Sequence, residues 1–150
     1  ICEANASYRR NAMHHLTNNR FYGITSVIGG LVMKENKLVE LSMDFSVDII
    51  NLVKHLKSSH ESIISNQIGR SGTSIGANIH EAQYAQGKKD FISKLEIALK
   101  EASETGYWLE LLYRTEYIDE SSFKSLSSKC SSLRVMLISS CKTAKQNLDK

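Results

Sequence analysis

Residues 119–148, DESSFKSLSSKCSSLRVMLISSCKTAKQNL, carry apolar side chains at Phe123, Leu126, Cys130, Leu133, Leu137, Cys141, Ala144 and Leu148. Steps of three and four residues hold such side chains on one stripe of an α-helix, because about 3.6 residues complete a turn. The serines and lysines between them keep the remaining faces polar, so the helix must bury one side against neighbours. Asp119 stands where a carboxylate can cap the first turn.

The same period recurs three times upstream. A third helix opens near Lys88 and carries Phe91, Leu95, Leu99, Ala102, Leu109 and Tyr113 as far as about Glu116. Before it, Gln86-Gly87 supplies a stop to a second helix that bears Ile64, Ile68, Ile75 and Ile79 and runs to about Ala85. Ser58-Ser59-His60 separates this from a first helix with Leu38, Leu41, Phe45, Ile49, Leu52 and Leu56 in register. The chain has no proline to interrupt any of them. Four such segments with links of a few residues predict an all-α, antiparallel, up-and-down four-helix bundle.

Residues 1–32 have neither a helical nor a strand period, and the character changes abruptly at Met33. We expect residues 1–32 to be disordered or a non-native extension, with the bundle spanning 33–150 and Met33 as its natural start. The apolar run Tyr22–Val32 is far shorter than the roughly 20 residues a membrane-crossing helix needs. Of the net charge of +3, most belongs to that extension, where Arg9, Arg10 and Arg20 face only Glu3. The bundle is nearly neutral, which argues against a strongly basic nucleic-acid platform. Cys2, Cys130 and Cys141 have no metal-ligand spacing, and Cys130 and Cys141 lie roughly 16 Å apart along one helix, beyond disulfide reach. A reduced, cytoplasmic setting is expected. His14-His15 lacks further ligands.

The second helix differs from the others. From Ser62 to Ile79 its only charged residue is Arg70, and Gly69, Gly72 and Gly76 each cost about 1 kcal/mol of helix propensity relative to alanine. Close helix packing at those glycines is the expected offset. The side bearing Arg70, Ser74, Ala77, Asn78 and Glu81 lies opposite the isoleucines. Two readings follow: the helix sits centrally in its own bundle with Arg70 and Glu81 reaching water at the margins, or that side is covered by another subunit or a partner. Along the third helix, Lys88, Lys89, Lys94 and Lys100 either contact RNA phosphates or form a solvated face paired with Glu96, Glu101 and Glu104.

Catalytic patterns are missing. His80-Glu81 opens like a zinc-protease helix, but Tyr84 stands at the place of the second histidine. No Glu-x-x-His pairs for a di-iron centre, no phosphate-binding Gly-rich loop and no nucleophile elbow are present. A non-enzyme without metal or cofactor is expected.

The run Arg70-Ser71-Gly72-Thr73-Ser74-Ile75-Gly76-Ala77-Asn78-Ile79-His80-Glu81-Ala82 resembles a stretch of the four-helix-bundle proteins encoded in intervening sequences of bacterial 23S ribosomal RNA genes. Lys89-Asp90-Phe91-Ile92, Leu95-Glu96-Ile97-Ala98 and Glu101-Ala102 look like the start of that family's third helix, and Leu109 to Ile118 like its close. That family is similar in turn to the accessory variability determinant proteins of diversity-generating retroelements, which form pentameric barrels and bind nucleic acid and a reverse transcriptase. The resemblance implies a bacterial, non-enzymatic homo-oligomer, a pentamer, associated with RNA or a nucleic-acid-processing protein. It carries Arg70, Ser74, Asn78 and Glu81 as positions with structural or interface roles. A protein-interaction or adaptor module without nucleic-acid binding is the alternative.

Overall fold

The computed structural model describes residues 36–147. The expectations for residues 1–32, for Met33 as a start and for Leu148 lie outside the described residues. Within them run four helices, α1 (Lys37–Ser58), α2 (Ile63–Ala82), α3 (Lys88–Arg114) and α4 (Glu120–Gln146). Each helix packs on the next and α4 returns to α1, the closed order of an up-and-down four-helix bundle; the α1/α4 seam is the thinnest of the four.

The core is the meeting of four stripes, with Phe45, Ile49 and Leu56 from α1, Ile68, Ile75 and Ile79 from α2, Leu95, Leu109 and Leu112 from α3, and Leu133 and Leu137 from α4, all fully buried. The α3 stripe is rotated from its expected line. Ile92, Ala98, Thr105 and Leu112 are buried there, while Phe91, Leu99 and Tyr113 are half-buried flanks. Small residues at Ala98 and Ala102 let α3 approach its neighbours, and the larger rings lie at the edges; Tyr113 stacks on Phe123 of α4 at 4.5 Å.

The helix ends explain the remaining differences in extent. α2 stops at Ala82 rather than near Ala85, because Gln83, Tyr84 and Ala85 donate to the carbonyls three residues back, a tighter turn than the α-helix. α1 and α3 end alike: His60 and Glu116 adopt φ of 60° and 62°, Glu61 N–H reaches back to Leu56 O, and Tyr117 N–H to Leu112 O. This six-to-one bond is the Schellman stop, made here without glycine. The Glu61 carboxylate then accepts from Ile64 N–H (2.8 Å) and Ser65 N–H (2.7 Å), so one buried acid ties the link to the first turn of α2. Asp119 caps α4 as its position predicts, accepting from Ser122 N–H at 2.7 Å. That backbone bond holds its carboxyl below the usual range, helped by the Ser122 and Ser121 side chains.

Candidate interaction surfaces

The three glycines of α2 face α1. A Cβ on Gly72 would stand 2.8 Å from Ile49 Cγ1, one on Gly76 2.9 Å from Ser46 Oγ, and one on Gly69 3.1 Å from Val53 Cγ2. Their missing side chains thus allow the α1/α2 approach, which offsets their poor helix propensity.

The polar side of α2 lies along the seam with α3. Arg70 Nη2 donates to Glu104 Oε1 at 2.6 Å and its Nη1 sits 3.9 Å from Glu101 Oε2, while Glu81 pairs with Lys94 near the other end. Between them Ser74 is half-buried, Ala77 is exposed, and the Asn78 amide turns back to donate to Ser74 O. Beneath this rail, Thr105 Oγ1 lies 2.9 Å from Ser71 Oγ and 2.8 Å from Glu101 O, a buried hydroxyl pair that keys the two helices together. Trp108 Nε1 donates to Glu104 Oε1 and meets Tyr107 edge-on at 4.9 Å.

The four lysines of α3 do not act together. Lys94 is held by Glu81, whose hydrogen bond raises its pKa, and Lys88 donates to Asn147 O at 2.8 Å. Lys89 and Lys100 are exposed. Nor are the α3 acids paired with these lysines: Glu96 pairs with Lys145 of α4, and Glu101 and Glu104 face Arg70. The Lys145 hydrogen bond lowers the Glu96 pKa and raises that of Lys145. Partners across helices cannot be read from spacing along one helix.

One surface went unnoticed in the sequence. Met43, Val47 and Ile50 of α1 are 59%, 54% and 43% exposed. Counting about 100° per residue, they lie within roughly 60° of the direction opposite the α1 core line, leaning to the α2 side marked by Ser46 and Val53. Their own spacing of four and three is a helical stripe, and counting apolar positions off the core face would have found it. α4 carries a second outward pair, Val135 (67%) and Ile138 (52%), leaning to the α3 side. Ile138 borders a groove of about 420 Å³ between α3 and α4, lined also by Leu99 and Cys141 and rimmed by Glu96, Lys142 and Lys145. A larger polar groove of about 710 Å³ follows the α1/α4 seam, where Lys129 pairs with Asp48 beside His55, Tyr117 and Asp119.

Among the described residues, no group of three or more His, Cys, Asp or Glu side chains is placed to hold a metal ion. None of their helices is long and apolar enough to cross a membrane. Cys130 is buried with Sγ 3.3 Å from Ala102 O, and burial pushes its thiol up to about 11; Cys141 is also raised, chiefly by burial.

Four antiparallel helices packed in a closed ring define a small all-α protein of the four-helix-bundle class. Residues 34–139 match the 23S rRNA-intervening sequence protein family, and the chain belongs to that family. Among solved structures it is similar to a protein of unknown function from the S23 ribosomal protein family of Bacteroides thetaiotaomicron, at 52% identity and a TM-score of 0.69, over 70% of this chain and 98% of that one. No curated protein matches the chain.

Proposed function

We propose that the chain works as a non-enzymatic, cytoplasmic homo-oligomer associated with RNA. The observation that carries self-association is the outward stripe of Met43, Val47 and Ile50 beside a helix whose only charge between Ser62 and Ile79 is Arg70. An outward apolar stripe beside a helix so short of charge is well suited to a subunit contact. Ala77 extends the same outer flank. Five copies is the number that the resemblance to the retroelement accessory proteins supplies. The test is the native mass of the purified chain: five times the chain mass is expected, and a monomer at micromolar concentration overturns the reading. Ala77→Glu should abolish assembly while helix content stays unchanged.

RNA association is supported by the family's name and by the exposed Lys89 and Lys100, which an assembly would repeat in each copy. Phosphate contacts release counterions, so affinity for 23S ribosomal RNA should fall steeply as salt rises. Binding no tighter than that of an unrelated neutral protein at low salt would leave the adaptor reading, a protein-interaction module without nucleic acid, in its place.

A further inference from the structure

We propose that copies join head to tail, the α1 stripe of Met43, Val47 and Ile50 on one copy seating in the α3/α4 groove bordered by Ile138 on the next. The pairing rests on the self-association proposed above and names its two surfaces.

Three observations lead to it. The stripe leans to the α1/α2 side and the groove opens on the α3/α4 side, and in a ring of four helices those flanks are opposite. Two different patches on opposite flanks make a heterologous contact, which repeats from copy to copy and closes into a ring when the rotation allows. Shape agrees: the stripe is a convex ridge, and the groove of about 420 Å³ is a concave receiver with Leu99, Ile138 and Cys141 in its lining. Charge agrees as well. Glu40 and Asp44 flank Met43 at one end of the ridge and Lys54 and Lys57 follow Ile50 at the other, whereas the groove rim carries Lys142 and Lys145 against the single acid Glu96, which Lys145 already neutralises. The acidic end of the ridge meets the surplus base of the rim, and opposite signs fix both partner and orientation. A ridge against an identical ridge would bring two convex surfaces together and leave the groove open.

The experiment uses the full chain with Cys2→Ser and Cys141→Ala as background, so that only the buried Cys130 remains of the native thiols, and Met43→Cys and Ile138→Cys combined, under mild oxidation. Every copy then offers one thiol from each surface, so a head-to-tail contact yields a ladder of covalent multimers beyond the dimer. Each single variant should give no ladder. A dimer from Met43→Cys alone would show α1 pairing with itself and overturn the proposal. A second arm measures native mass: Val47→Glu should reduce the assembly to monomer with its circular dichroism unchanged, Asp44→Lys should weaken it, and adding Lys142→Glu to Asp44→Lys should restore it. An intact assembly that gives no ladder and ignores Val47→Glu overturns this pairing but leaves self-association standing. A monomeric unmodified chain overturns both.

Discussion

Two helical glycines show how a single residue type can carry opposite meanings. At Gly72 an added Cβ would press on the branched part of Ile49, which is fully buried and cannot swing aside. At Gly106, in α3, it would meet nothing within 4 Å. Gly72→Ala should therefore lower unfolding free energy by about 1–2 kcal/mol despite better helix propensity, and Gly106→Ala should raise it by about 1 kcal/mol. Urea titrations of the two variants read the contrast directly. The cysteines give a second residue-level expectation. Thiolate is the reactive form, so a buried Cys130 with its pKa near 11 should resist alkylation at pH 8, with Cys141 next, as read by per-cysteine labelling in mass spectrometry. The sequence foretold both cysteines as core residues because their spacing matched the stripe. It also marked the unusual glycines of α2, but not that α1 was the helix they admit.

At the scale of the element, starts were easier to read than stops. Asp119 is a local signal, a capping side chain three residues before the amide it accepts from, and it needs no tertiary knowledge. Its carboxyl titrates below the ordinary 3.8, so its contribution is present above about pH 3.8 and fades as pH falls through the depressed value. Thermal midpoints of Asp119→Ala should therefore lie below those of the unmodified chain at pH 7, with the gap narrowing toward pH 2. The end of α1 is legible at Ser58-Ser59-His60 from the lapse of the apolar period, but the stops of α1 and α3 carry no capping signal of their own, since glycine is the usual occupant of the left-handed position and His60 and Glu116 stand there instead. A side chain in that conformation costs about 1–2 kcal/mol, partly offset in any glycine replacement by a more flexible unfolded chain. His60→Gly and Glu116→Gly should each stabilise the bundle by about 0.5–1 kcal/mol in denaturant titrations. The Glu61 cap was equally hidden, because the carboxylate stands one residue ahead of the helix's N-cap, Ser62.

Across the whole molecule, the count and order of the helices were legible because each must bury a stripe, and four stripes leave few ways to close. How the outer faces pair was not, because Glu96 with Lys145 and Arg70 with Glu104 depend on the mutual rotation of helices. The outward stripe on α1 was overshadowed by the stronger core stripe on the same helix. The seams are unequal, and the α1/α4 seam combines the least packing with a long polar groove and the half-exposed Lys129–Asp48 pair. Amide exchange should therefore be fastest, outside the links, where α1 and α4 face each other, with α2 and α3 the most protected, as followed by hydrogen-exchange mass spectrometry. Lys129→Met should change global stability by only a few tenths of a kcal/mol. The opposite, well-packed seam has an optical consequence. Trp108 is the only tryptophan of the chain, and its indole N–H bonds the same Glu104 oxygen that receives Arg70. Its emission wavelength consequently senses whether α2 and α3 are locked together, giving an intrinsic spectroscopic signal for that one contact that selective excitation of the indole separates from the tyrosines.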